Sequence, residues 1–370
     1  VAVKVRSASY VVMALVLLLT AACGGSPTAS NTGAEASGAT AAQQVYDQIN
    51  GLKGSERTDK LLELAKKDGT LSLYTSNTDM DDVVKAFESK YGMKVETYRA
   101  NSETVLQRVL QEASANYQGA DLIETNAGEL NAMQQRQLLY PYEGELRDKV
   151  RPEGRKDGWT ADRFNAFVVG WNTGKVPAGT EPGSLRDLAG PQWKGRVGLE
   201  LGDVDWFAAM YNYYKSQGQS DDEVMSFFRQ LGANAKIAKG HTVMGELLAA
   251  GQFDVAVSIY SHTVDNAAEK GAPVAWRKDG MPVQPVVLRP NGAGLMKSAK
   301  HPAAAMLFFD YLLTDGQQAI AGANRIGAIP TAQDPLAGVQ TVSVPEEELL
   351  NNAQKWSDTY KSVTDAGGKT

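Results

Sequence analysis

One cysteine, three histidines and no apolar run of membrane-spanning length set the first limits on this 370-residue chain. A lone cysteine, Cys23, excludes an internal disulfide and any CxxC metal or redox site. The apolar stretch Tyr10–Leu19 falls well short of the roughly 18–20 residues that a spanning helix needs. Catalytic signatures are missing as well. There is no GxSxG elbow, no Gly-rich phosphate loop ending in Lys-Ser/Thr, no HExxH and no GxGxxG. A dispersed Ser–His–Asp triad has only His241, His262 and His301 from which to take its base, so an enzyme is not expected. A long Lys/Arg cluster is also absent. Net charge is −6, and −8 without the first 22 residues, which carry Lys4, Arg6 and no acid. Phosphate neutralisation needs a basic face, so nucleic-acid binding is set aside.

What the chain does contain begins at its N-terminal end. Lys4 and Arg6, the apolar run and the small residues of "TAAC" (20–23) have the layout of an export signal over residues 1–22. Residues 23–44 are Gly, Ser, Thr, Ala and Asn with hardly an apolar side chain, the composition of a flexible tether. Residues 45–67 read as a helical segment, with "TDKLLELAKK" supplying a cap and an apolar face.

From there strands and helices alternate. "TLSLYTS", "MKVETYRA" and "GADLIET" read as strands, each followed by a helical pattern. That order predicts a parallel-rich sheet covered on both faces, which makes a first lobe over 68–165. The long strand "DRFNAFVVGWNT" (162–173) leads through a Pro/Gly-rich boundary into a second alternation, 166–285. A further strand, "PVVLRPNGAGLM" (285–296), opens a return to the first lobe and the C-terminal helices, 286–370. The fold class expected is therefore α/β, two lobes joined by crossing strands.

In open α/β sheets ligands bind beyond the carboxyl ends of strands, where helix N-termini offer free N–H groups. Four such junctions are legible: "YTSNTD" (74–79), "ETNAG" (124–128), "LGDVDW" (201–206) and "YSHT" (260–263). They nominate Ser76, Asn77, Glu124, Asn126, Asp205, Trp206, Tyr260 and His262 as cleft residues. Most also have a local reading, as a helix cap for Ser76, Asn77, Asn126 and Asp205, as core for Trp206, and as core or turn residues for Tyr260 and His262. Arg163 and Arg289 flank the apolar parts of the crossing strands, as interlobe ion-pair residues or as forks for a carboxylate or phosphonate.

Three stretches carry a family resemblance. "SLRDLAGPQWKGRVGL" (184–199) is similar to a DLxxPxWKG passage of bacterial extracytoplasmic solute-binding proteins. "GAGLMKSAKHPAAAMLFFDYLLTDGQQAI" (292–320) looks like their last helix pair, and "AKKDGTLSLYTSNT" (65–78) resembles the opening strand of their ferric-ion-binding type. The small residues before Cys23 resemble a bacterial lipobox, with Thr20 where Leu is commoner. The resemblance implies a type II periplasmic-binding fold, a lipid anchor on Cys23 and an extracytoplasmic location on the cell membrane. It also implies an ABC permease with its ATPase as partners, and a monomer. No resident cofactor is expected. A small organic anion is the expected solute, with ferric ion the alternative and a hydrolase or ligand-sensing lipoprotein further off. Iron-binding members carry two adjacent tyrosines after the strand matching "VAVSIY". Here Tyr260 is followed by Ser261, so the pair is broken, and a ferric set would need Tyr260, His262, Glu124 and Asp205 together.

Overall fold

The computed structural model describes residues 35–369. The export signal, Cys23 with its lipid anchor and the first part of the tether lie outside the described residues. Helix α1 (Glu35–Asn50) begins within the stretch whose composition suggests a tether. Alanine is the strongest helix former, and Ala42, Tyr46 and Ile49, at i, i+4 and i+7, are buried on one face. Helix α2 (Gly54–Asp68) continues from it and buries Leu61 and Ala65. Tyr46 donates to the Met296 carbonyl at 3.1 Å. Arg57 donates to both carboxylate oxygens of Asp310 at 2.6 and 2.9 Å, fastening the helical pair to the body.

One continuous sheet organises the rest. Along its main path the strands are β1 (Leu71–Thr75), β2 (Val95–Arg99), β3 (Leu122–Asn126), β4 (Thr160–Asn172), β5 (Val197–Glu200), β6 (Ala235–Ala238), β7 (Val255–Tyr260), β8 (Val286–Met296) and β9 (Gly368–Lys369), and four two-residue strands pair with β4 or β8. Their spatial order is β9-β6-β5-β7-β4-β8-β3-β1-β2. At one end β3, β1 and β2 are parallel and form lobe 1; at the other β7, β5, β6 and β9 are parallel and form lobe 2. The long strands β4 and β8 run antiparallel to each other between the lobes.

Parallel neighbours require crossover helices. Lobe 1 has α3 (Met80–Tyr91), α4 (Ser102–Ser114) and α5 (Ala127–Gln135); lobe 2 has α6 (Val204–Ser216), α7 (Asp221–Asn234), α8 (His241–Ala249) and α9 (Ser261–Glu269). Ser220 and Glu223 close a capping box at the start of α7. After β8, α10 (Pro302–Leu312) and α11 (Gly316–Gly322) pack on lobe 1. The chain then crosses once more. α12 (Glu346–Asn351) leads to α13 (Ala353–Thr364), whose Trp356, Tyr360 and Val363 enter the lobe 2 core, and β9 extends the lobe 2 sheet.

The two faces of β4 serve different cores. Phe164, Ala166 and Val168 join the apolar cluster of lobe 1, which runs on beneath α8 and α9. Phe167, Val169 and Trp171 join the cluster enclosed by α6, α7 and α13. Alternation at period two is what lets one strand tie both lobes together. Among the described residues no helix is long and apolar enough to cross a membrane.

Candidate functional site

The carboxyl ends of β1, β3, β5, β6 and β7 converge on the middle of β4 and β8. Alternation aims Arg163, Asn165 and Phe167 to one side of β4, and register places them opposite Asn291, Arg289 and Val287 of β8. The β4–β7 pairing shifts register between Val168 and Gly170, and Ser258 takes a left-handed φ of 54° there. This bulge turns the end of β7, delivering Tyr260 to the meeting point.

Tyr260 is 8% exposed and lies between two imidazoles. Its ring stacks on His241 with centroids 3.5 Å apart and on His262 at 5.3 Å, and Phe167 meets it edge-on at 5.0 Å. Its hydroxyl accepts from Arg289 Nη2. Burial raises the Tyr260 pKa above its ordinary value, with Asp203, Asp205 and Glu200 adding to the rise and Arg289 opposing it. The group is a phenol rather than a phenolate at neutral pH. Burial pushes the pKa of His262 well below its ordinary value, and the positive Arg325, Arg163 and Arg289 nearby act in the same direction. That ring is neutral.

The carboxylates around this centre are already engaged. Glu124, fully buried on β3, accepts from Arg163 Nη1 through one oxygen and from Thr75 Oγ1 through the other. Asp205 accepts from Arg289 Nη1 at 3.3 Å. Burial works against the charge of Arg289, but Tyr260, Asp205, Asp203 and Glu129 hold its pKa above the ordinary value. Arg325 donates through Nε to Asp79 at 2.8 Å and through Nη2 to Thr78 at 3.1 Å. Asn126 accepts from Asn291 Nδ2 at 2.5 Å, linking β3 to β8.

Tyr260, His262, Arg163, Arg289, Asp205, Glu124 and Asn126 thus come together around the crossing strands. Other nominated residues are used locally. Asn77 turns its carbonyl oxygen onto the Asp79 N–H at 3.0 Å, shaping its own turn. Ser76 exchanges a hydrogen bond with Thr125 at 2.8 Å. Trp206, 4% exposed, packs edge-on against Phe228 in the lobe 2 core. It belongs to the lobe 2 core cluster and lines neither cavity described below.

Two residues central to the site fall outside the four junctions. His241 opens α8 beyond the carboxyl end of β6, a fifth junction that the strand-end rule would have supplied had "AKIA" been read as a strand. Its Nε2 meets Asp203 Oδ1 at 3.0 Å, and Asp203, though at the cap of α6, makes no capping bond. Arg325 stands before the short strand Ile326–Gly327, which pairs with β4. No local pattern marks it.

Space remains on both sides of the stacked rings. A cavity of about 460 Å³ is lined by Thr78 and Asp79 of lobe 1, Thr242, His262 and Thr263 of lobe 2, and Arg325. A second, about 380 Å³, lies between Asn126 and Glu129 of lobe 1, Asp205 of lobe 2, and Arg289, with α12 along its rim. Glu346 of that helix accepts from Asn131 of lobe 1 at 3.1 Å, and Glu348 from Asn212 of lobe 2 at 2.8 Å. Burial raises the Glu346 pKa to about 7. A carboxyl whose folded pKa exceeds its unfolded one confers stability that is complete below the unfolded value and lost as pH rises through the folded one. Glu346→Gln is therefore expected to raise stability by about 2 kcal/mol at pH 8 and to change little at pH 4. Urea melts at the two pH values check this, and an equal effect at both would contradict it.

A match to the "Bacterial extracellular solute-binding protein" family model spans residues 120–357, more than half of the chain. The chain belongs to this family. Among curated proteins, an Fe(3+)-binding periplasmic protein of Serratia marcescens is 23% identical over 322 residues, which is 82% of this chain and 92% of that protein. Among solved structures, iron-bound HitA of Pseudomonas aeruginosa is 23% identical with a TM-score of 0.65, covering 81% of this chain and 99% of that one. AfuA of Actinobacillus pleuropneumoniae, with exogenous fructose-6-phosphate bound, is 20% identical with a TM-score of 0.63, covering 79% and 99%. The fold is that of the type II periplasmic binding proteins, and this solute-binding protein is the substrate-capturing component of an ABC transporter. Its family is extracellular or periplasmic, and its relatives are binding proteins rather than enzymes.

Proposed function

We propose that this protein captures a small organic anion between its lobes, closes on it and presents it to a membrane permease with its ATPase, held at the membrane by a lipid on Cys23. The observation that carries the anion reading is a pair of unused donors. Arg163 is spoken for at Nη1 and Arg289 at both Nη atoms, yet the buried Nε of each has no hydrogen-bond partner. Ser261 Oγ, at the start of α9, is buried without a partner too. Buried polar groups left unpaired are costly, and an oxyanion is a partner of the kind each of these donors lacks. The cavity beside Arg289 is lined by Asn126 and Glu129 of lobe 1 and by Asp205 of lobe 2, so an anion held there would touch both lobes, the condition for ligand-driven closure. Net negative charge is no obstacle, since local donors decide anion binding.

A second reading, ferric ion, is favoured by the name of the Serratia marcescens relative. Against it stands the state of the donors. Tyr260 and Asp205 are both held by Arg289, and Glu124 by Arg163. His262, Glu124 and Asp205 do not form a metal-sized group among the described residues.

The test is thermal unfolding with citrate, fructose 6-phosphate and inorganic phosphate, and with ferric citrate beside them. A ligand at a hundredfold excess over its dissociation constant adds about 2.7 kcal/mol. The anion reading expects a rise of several degrees with one of the organic anions free of iron. A rise confined to ferric citrate, or none with any organic anion, overturns it.

A further inference from the structure

We infer that Glu200, Asp203 and His241 form a binding site for a divalent transition-metal cation of the zinc class, set in lobe 2 beside the anion donors. One potential ligand atom from each residue lies within 4.8 Å of the other two. The topology makes the cluster. Glu200 ends β5, Asp203 caps α6 and His241 opens α8, and β5 and β6 are parallel neighbours whose carboxyl ends lie side by side. The Glu200 carboxylate is oriented by two backbone donors, Gly240 N–H at 2.8 Å and Gly202 N–H. His241 Nε2 lies 3.0 Å from Asp203 Oδ1.

The second observation is an unfilled valence. Asp203 is 2% exposed, and its Oδ2 has no hydrogen-bond partner. His241 Nδ1 is likewise buried and unpartnered. An acid at a helix cap ordinarily spends its side chain on the first-turn N–H groups, whereas Asp203 turns toward the imidazole instead. Two carboxylates and a histidine suit Zn²⁺, Co²⁺ or Ni²⁺ better than Mg²⁺ or Ca²⁺, which favour shells of oxygen alone. Three protein ligands leave a coordination position open to water or to an oxyanion. All three come from one lobe and none is Arg163, Arg289 or Ser261. The cation site therefore stands or falls separately from the anion reading.

Isothermal titration of the untagged 370-residue chain with Zn²⁺ alone, in a non-chelating buffer without organic anion, tests the assignment. One equivalent should bind saturably, and Asp203→Asn and His241→Gln should each weaken it by about tenfold or more while circular dichroism stays unchanged. Titration of the unmodified chain with Co²⁺ gives a readout independent of variants that fail to fold. The expected spectrum has the intensified visible bands of four- or five-coordinate cobalt. The weak spectrum of hydrated Co²⁺, absence of saturable binding below about 100 μM Zn²⁺, or equal affinity in folded variants overturns the site.

Discussion

Glu124→Ala is expected to destabilise the protein by about 3–5 kcal/mol, through its charge and hydrogen bonds. Glu124 is fully buried and Arg163 is 3% exposed at its side chain, so neither charge has water to fall back on. Truncating the acid leaves the guanidinium with only Asp162, at 3.3 Å and imperfectly placed, and leaves Thr75 without the acceptor for its hydroxyl. Most of the cost is that of a stranded charge rather than the net worth of the ion pair. The double variant Glu124→Ala, Arg163→Met removes both charges and should recover more than half of the loss. Chemical denaturation followed by tryptophan fluorescence reads both variants. A single-variant loss below about 1 kcal/mol would show that water reaches this pair after all. The pair also has a mechanical meaning. Glu124 belongs to lobe 1, and Arg163 to the strand that leaves it. Their bond ties the start of β4 to lobe 1.

The sequence discloses some of this and conceals the rest for identifiable reasons. Alternating strand and helix patterns reveal two α/β lobes because apolar periodicity is local. The length of β4 and β8, which outruns the other strands, marks them as crossing segments. Tyr260 and His262 were identifiable because a strand that stops at a helix N-terminus has a known place in such sheets. Strand β6 escaped because α7 runs through Gly232 and Asn234 straight into it and because its four residues have two half-buried positions, so no alternation betrays it. With β6 went the fifth junction, which left His241 open between a helix-start residue and a cleft-lining one. The start of α1 escaped because alanine and glutamine look the same in a tether and in a helix docked by one face. Arg325 and Glu124 show a different limit. Their partners lie 246 and 39 residues away, and only sheet order brings them together. The broken tyrosine pair was visible, but its structural meaning was not: Tyr260 is held by an arginine 29 residues away.

That arginine carries the second large prediction. Arg289→Met is expected to weaken binding of the organic anion by about a hundredfold, or 2.7 kcal/mol, with a much smaller effect on unfolding. Methionine keeps a stem of similar length but removes the guanidinium that lies over the Phe167 and Tyr260 rings at 5.2 and 5.4 Å, so packing is kept in part. What goes is the fork that ties Asp205 of lobe 2 and Tyr260 to β8, together with the unpartnered Nε proposed to meet the anion. Arg289→Lys should fall between the two, since an ammonium keeps the charge but cannot hold two oxygens and a third in one plane. The two readings of the cargo part company at this residue. An anion loses its donor, whereas a ferric ion gains two oxygens, because Tyr260 and Asp205 are both released from the guanidinium. Calorimetry on Arg289→Met with the anion and with ferric citrate therefore decides between them. Weakened anion binding with no gain of iron supports the anion. Iron affinity that holds or rises while no anion binds either form would assign the centre to metal, with Arg289 as the group that must swing aside when the metal enters.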